Sequence, residues 1–290
     1  MKQPSIKIRT IAFAGLAMVA FAANSVLCRL ALSQAAIDPA TFTLVRLASG
    51  TFVLCLILSF RRKPEQPGGS WPASVALFAY AAAFSFAYTA LPAGIGSLLL
   101  FGAVQTTMVS YGLVRGERLS ALQWFGLTIA VAGVGALVAP GALAPSVTGA
   151  CLMLAAGVAW GAYSLLGRGI ADPLTATAGN FLRSLPIAIC LSLCVMLFGT
   201  NLTANGLTCA ILSGAAASGL GYTIWYAALP GLTSAQGASV QLSVPVITTL
   251  GGALVLEEAI SLRLVVASLA ILGGIALVIG SRERALSRSS

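Results

Sequence analysis

The sequence predicts an all-α integral membrane fold: ten transmembrane helices in two inverted five-helix repeats, with both termini cytoplasmic. Three observations lead there. The chain of 290 residues is 58% apolar and only 8% charged, with a mean hydropathy of +0.97. Too few polar side chains remain to cover a soluble surface, so lipid must solvate much of it. Ten apolar stretches are each long enough to cross a bilayer, which takes about 20 residues. Finally, Tyr88-Thr89-Ala90-Leu91-Pro92 returns as Tyr226-Ala227-Ala228-Leu229-Pro230, 138 residues later. Doubling of this kind in an apolar chain is the signature of a membrane protein built from two halves with a site between them.

In chain order, the first half (residues 1–140) holds expected spans at Ile11–Leu32, Pro39–Phe60, Pro72–Leu91, Ile95–Val114 and Ala121–Ala139. The second (residues 141–290) holds Val147–Leu166, Leu174–Leu197, Leu207–Ala228, Ala235–Leu256 and Leu262–Gly280. Punctuating residues separate them: Arg61 to Gly69, Pro140 to Pro145, Asp172-Pro173 and Gly199 to Gly206. Lys2, Lys7 and Arg9 precede the first apolar run as they would in a signal peptide, but the run is too long for one, so it reads as an uncleaved helix. Asp38-Pro39 and Asp172-Pro173 read as helix starts, an Asp cap followed by Pro in the first turn.

Charge sets the orientation. With the amino terminus inside, the cytoplasmic segments hold Lys2, Lys7, Arg9, Arg61, Arg62, Lys63, Arg115, Arg118, Arg168, Arg282, Arg284 and Arg288, whereas the outer loops hold Arg263. That split satisfies the positive-inside rule for an even number of spans. Five spans per half then turn the second half upside down relative to the first. The pI of 9.7 does not point to nucleic acid, because the basic residues lie in short loops and form no single patch. All six cysteines fall inside apolar runs without a CxxC pair and read as buried small hydrophobes. The chain has no histidine, hence neither the commonest metal ligand nor the usual proton shuttle. No metal, cofactor or enzymatic activity is expected.

Further echoes support the duplication. Ser25-x-Leu27-x-Arg29 matches Ser164-x-Leu166-x-Arg168, and Gly116-Glu117-Arg118-Leu119-Ser120 matches Glu257-Glu258-Ala259-Ile260-Ser261. With the Gly-rich last helix of each half (Gly133 and Gly135; Gly273 and Gly274), these features resemble the EamA repeat of the drug/metabolite transporter superfamily. The resemblance covers nearly the whole chain, and within the superfamily it is nearest to amino-acid exporters of the YddG type. It implies an inner-membrane carrier with a cavity built from helices one to four and six to nine, and with helices five and ten as scaffolding. One departure is visible. Pro245 sits in the fourth helix of the second half, while the first half has Gln105 to Met108 there, so the two halves are expected to bend differently.

Candidate binding residues come from aromatic and polar side chains at depth. Tyr80, Phe84 and Tyr88 are four apart and share one helix face; Tyr222, Trp225 and Tyr226 form a comparable face in the eighth helix, and Trp160 and Tyr163 add aromatics in the sixth. They read either as a cavity wall around an apolar side chain or as packing and interfacial aromatics. Asn24, Gln105, Gln241, Ser243 and Thr107 have no partner in lipid and must face other helices or a wet cavity. Arg46 lies about 10 Å into its span at 1.5 Å per residue, and Arg183 lies deeper. Each could attract a substrate carboxylate or clamp backbone carbonyls. Arg46, Glu117, Glu258 and Pro245 are read as structural or gating positions. Small residues at Gly126, Ala130, Gly133, Ala270 and Gly274 suit close helix packing within one chain.

No Asp or Glu falls in mid-span, so coupling through a carboxylate is not expected. The function expected is export of amino acids, aromatic ones and other apolar or small neutral ones, by alternating access in a monomer. A drug, nucleoside or other metabolite exporter of the same fold is the alternative.

Overall fold

The computed structural model describes residues 8–61, 68–140, 144–197 and 199–289. Lys2, Lys7, Arg62 and Lys63 of the charge argument lie outside them, as do the side chains of Arg282, Arg284 and Arg288. Ten helices among the described residues are long and apolar enough to cross a membrane. They are α1 (Ile8–Ser33), α2 (Pro39–Ser59), α3 (Trp71–Tyr88), α4 (Ala93–Val114), α5 (Ala121–Val138), α6 (Val147–Leu166), α7 (Pro173–Met196), α8 (Ala204–Gly231), α9 (two pieces, Ser234–Gln241 and Ser243–Val255) and α10 (Leu262–Ser289, apolar to Ser281).

Caps explain where these helices begin. Asp38 Oδ1 accepts from the Ala40 and Thr41 amides at 3.1 and 2.9 Å, and Asp172 Oδ1 does the same for Leu174 and Thr175 at 3.1 and 3.3 Å. Each Asp is followed by Pro, which lacks the donor that a first turn leaves orphaned. Ser120 with Gln123 opens α5, and Thr233 with Gln236 opens α9, both as reciprocal capping boxes.

Packing repeats across the two halves. Helix α3 packs on α6 and α7, and its counterpart α8 packs on α1 and α2; α2 with α7, α4 with α9, and α5 with α10 pair directly. The α5–α10 contact is backbone-close: a Cβ added at Gly126 would lie 2.6 Å from the Gly274 carbonyl oxygen. The small residues therefore serve packing within the chain, and α5 and α10 turn Trp124, Phe125 and Leu269 outward. The cysteines correct an expectation. Cys28 is buried, but Cys151, Cys190 and Cys194 are exposed on apolar outer faces and Cys55 and Cys209 are half-buried, because a helix bathed in lipid tolerates a small soft side chain on either side.

Two irregularities shape the interior. Helix α4 is continuous, whereas α9 breaks at Leu242. Pro245 has no amide to offer the Gln241 carbonyl one turn earlier, so the ladder lapses there. In α8, Ser213–Leu220 is wound as a π-helix, a form concentrated at functional sites. It brings Gly214 onto α2, where a Cβ would meet the Arg46 carbonyl oxygen at 2.1 Å.

Candidate functional site

Between the two sets of helices lies a cavity of 440 Å³, walled by α1–α4 and α6–α9. Its wall is aromatic. Tyr222 stacks on Trp160 with centroids 5.6 Å apart and on Tyr226 at 6.2 Å; Tyr80 meets Trp160 at 4.7 Å, and Phe21 meets Tyr222 at 5.5 Å. Polar groups interrupt the rings. Tyr163 donates to Thr177 Oγ1 at 3.3 Å, and Thr177 shares a 2.8 Å bond with the Tyr226 hydroxyl. Asn24 Oδ1 accepts from Ser213 at 2.6 Å, while Gln105 and Gln241 reach the wall from α4 and α9.

Arg46 is embedded in this wall at 2% exposure. Its Nε donates to Ser218 Oγ at 3.3 Å and its Nη2 to the Tyr80 hydroxyl at 3.1 Å, and its Cζ lies 5.2 Å from the Tyr80 ring and 5.1 Å from the Phe84 ring. Nη1 is buried with no hydrogen-bond partner among the described residues. A guanidinium so far from water is costly unless its donors are met.

The lining extends to Arg168 and Ile170 of the α6–α7 turn and to Leu232 and Thr233 of the α8–α9 turn, which form the mouth. The opposite end is shut. Arg29 Nε meets Glu258 Oε1 at 3.0 Å and Arg29 Nη1 the Tyr88 carbonyl at 3.0 Å, while Glu258 Oε2 accepts from the Ala93 amide at 2.7 Å. Glu117 occupies the matching place after α4. It follows Gly116 at φ +88°, as Glu258 follows Glu257 at φ 55°. In each case the left-handed residue turns the chain back, so that the Glu117 amide reaches the Gly112 carbonyl at 3.0 Å and the Glu258 amide reaches Gly252 at 3.2 Å.

Of the residues expected at the site, Asn24, Tyr80, Gln105, Trp160, Tyr163, Tyr222, Trp225 and Gln241 line the cavity, and so does Arg46. Phe84, Tyr88, Arg183 and Ser243 are not on its wall. Phe84 and Tyr88 are fully buried behind it, ring edge to ring face at 4.7 Å, with the Tyr88 hydroxyl on the Ala93 carbonyl at 3.2 Å. Arg183 donates to the Gly68 carbonyl and ties the segment before α3 to α7. The Ser243 hydroxyl bonds back to the Val240 carbonyl at 2.7 Å beside the break in α9. Pro245 is buried one turn past that break.

Sequence reasoning missed Phe21, Thr177, Asn180 and Ser218. Two signals were present. The offset of 138 that pairs Tyr226 with Tyr88 also pairs Ser218 with Tyr80, and counting eight residues on from Asp38 and from Asp172 pairs Arg46 with Asn180.

The model of a family described as the EamA-like transporter family matches residues 8–139 and again 147–280. An uncharacterized protein of Pseudomonas aeruginosa is 55% identical over 277 residues, covering 94% of this chain and 96% of that one. A solved structure, titled only as the crystal structure of a protein, shares the fold with a TM-score of 0.64 at 21% identity, covering 93% of this chain and 97% of that chain.

Proposed function

The chain belongs to the EamA-like transporter family, and from that premise we propose that it exports amino acids, aromatic ones and other apolar or small neutral ones, across the inner membrane. It works as a monomer of two inverted halves, residues 1–140 and 141–290. One observation carries the reading: a single chain encloses a hollow of 440 Å³ that is open at one end, shut at the other and walled by stacked rings with a few polar groups between them. That is the composition of a small-molecule site for a solute with an apolar body and a polar head.

The mechanism is alternating access. Arg29 and Glu258 close the outer end, and the α6–α7 and α8–α9 turns leave the cytoplasmic end open. Arg168 and Glu117 stand where the repeat places the counterparts of Arg29 and Glu258. Rocking the halves closes the inner pair as the outer pair parts. Asn24, Gln105, Gln241 and the tyrosine hydroxyls supply hydrogen bonds to the polar head, and the Trp160–Tyr222 stack takes the side chain. Solute moves down its own gradient, with no carboxylate relay through the cavity. Helices α5 and α10 hold the two halves together outside the pathway.

The test is transport into proteoliposomes by a panel of free amino acids against nucleosides and dyes, with and without a pH gradient. The reading expects aromatic and apolar amino acids to move and a pH gradient to drive little accumulation. Movement of dyes or nucleosides alone would replace it.

A further inference from the structure

We propose that Arg46 is the anion-recognition point of this cavity and that a carboxylate on the solute completes its bonding, so that the transporter selects for a carboxylate and does not require an amine. The inference rests on the transport reading above and narrows it to the chemistry of the solute's head.

Arg46 is incompletely bonded. Two of its three nitrogens are engaged by neutral hydroxyls, Tyr80 and Ser218, and two rings flank its charge. None of these supplies a negative charge, and Nη1 is left over. Among the described residues lining the cavity, the formal charges are Arg46 and Arg168, both positive. A buried cation with one open donor and no counter-ion in its cavity is matched by a carboxylate, whose two oxygens accept guanidinium donors in a planar fork.

Position rules out a scaffold role shared by both halves. Counting from the two Asp-Pro caps, the place of Arg46 in α2 is held in α7 by Asn180. Asn180 accepts from the Ser70 amide at 2.9 Å and is neutral. At this level of the cavity the charge is therefore on the α2 side, and the other lining cation, Arg168, stands at the mouth. The residues holding Arg46 are themselves equivalents, Tyr80 from α3 and Ser218 from the π-wound turn of α8. Only 2% of Arg46 is exposed, so a carboxylate reaches Nη1 by shifting those partners. Occupancy is thereby felt by one helix from each half, as a carrier needs if the solute is to trigger the change of access. Among the described residues the same wall holds no Asp or Glu for an ammonium group, so the amine of a zwitterion meets amide and hydroxyl oxygens and ring faces there.

The experiment uses the purified full-length wild-type protein. Trp160 and Trp225 line the cavity and report binding by fluorescence. Three solutes with the same phenethyl body are titrated: 3-phenylpropanoate, phenylalanine and phenethylamine. 3-Phenylpropanoate should saturate, and phenethylamine should bind at least tenfold more weakly. Arg46→Lys should keep the preference with weaker binding, and Arg46→Gln should abolish it. Equal binding of the amine overturns the proposal, and so does failure of all three to bind. The titration of wild-type protein needs no variant to fold. The two readings fail separately: binding of 3-phenylpropanoate without transport of phenylalanine removes amino-acid export and leaves Arg46, while transport of phenylalanine with equal binding of phenethylamine does the reverse.

Discussion

Arg29 and Glu258 are 229 residues apart in the chain and 3.0 Å apart in space. Their ion pair does more than join α1 to the α9–α10 turn. Arg29 also holds the Tyr88 and Thr89 carbonyls at 3.0 and 3.3 Å, and Glu258 the Ala93 amide at 2.7 Å. The turn between α3 and α4 is thereby drawn over the end of the cavity from both sides, and the fully buried Tyr88 packs beneath it.

Removing the charge of Glu258 should loosen that end. The two side chains are 19% and 18% exposed, so the pair contributes on the order of 1 kcal/mol after solvent screening. Glu258→Gln should raise the population open at this end about fivefold, since about 1.4 kcal/mol is a factor of ten. Cys28 is buried beside Arg29. In a background where it is the one cysteine kept, its labelling by a membrane-impermeant thiol reagent from outside should speed up by that factor. An unchanged rate would mean that the pair does not close the pathway.

Closure at the two ends should be mutually exclusive. Cysteines at Arg29 and Glu258 are expected to be bridged in the state seen here by a bifunctional thiol reagent as long as the two side chains it replaces. Cysteines at Arg168 and Glu117 are expected to be bridged by the same reagent when the first pair is apart, in protein whose native cysteines are replaced by alanine. Gel mobility after treatment reads both. Full cross-linking of both pairs in the same molecules would end the rocking account.

The frame of this fold was open to reading because lipid imposes it. Span lengths and Asp-Pro caps each answer to one strong constraint, and most helix bounds fall within a few residues of expectation, as Pro39–Ser59 and Val147–Leu166 illustrate. Two boundaries differ most: α10 continues past Gly280 to Ser289, and α8 runs to Gly231 through a π-wound stretch; no local pattern announces such a stretch in a run of Gly, Ala and Ser. The cavity wall was legible where rings repeat at helical spacing. It failed at Phe84 and Tyr88, since residues four apart share a face but a curved wall touches only part of it. Arg183 and Arg46 look alike in sequence, each a deep guanidinium. Only their neighbours separate them: a backbone carbonyl for Arg183, and hydroxyls and rings for Arg46.

The Trp160–Tyr222 stack should carry the affinity for the apolar part of the solute. An aromatic pair contributes about 0.5–1.5 kcal/mol beyond its area. Trp160→Ala should therefore raise the apparent KM for phenylalanine by about two- to twelvefold while affecting alanine less, and Trp160→Phe should recover most of the loss. An equal effect on both solutes would place Trp160 in packing alone.

Asp172 offers a test by pH. It lies just ahead of α7, caps that helix, and pairs with Arg61. Burial raises its pKa, but the Arg61 guanidinium and the Thr175 bonds outweigh burial and hold the carboxyl below the usual carboxylate range. A carboxylate whose folded pKa is depressed stabilises the fold above its unfolded pKa of about 4, and that contribution fades as pH falls through the lower folded value. Asp172→Asn keeps the Oδ1 acceptor that caps the helix and replaces the charged Oδ2, which accepts from Arg61 and the Thr175 hydroxyl, by an amide nitrogen. The side chains are 35% and 31% exposed, so the loss is about 1 kcal/mol or less, roughly 1–3 °C in Tm for a chain of this size. The gap between wild type and Asp172→Asn should be full at pH 6–7 and should narrow steadily below about pH 4. Scanning fluorimetry in detergent across that range checks it. A gap that persists undiminished into acid would show that the charge of Asp172 does not carry the difference.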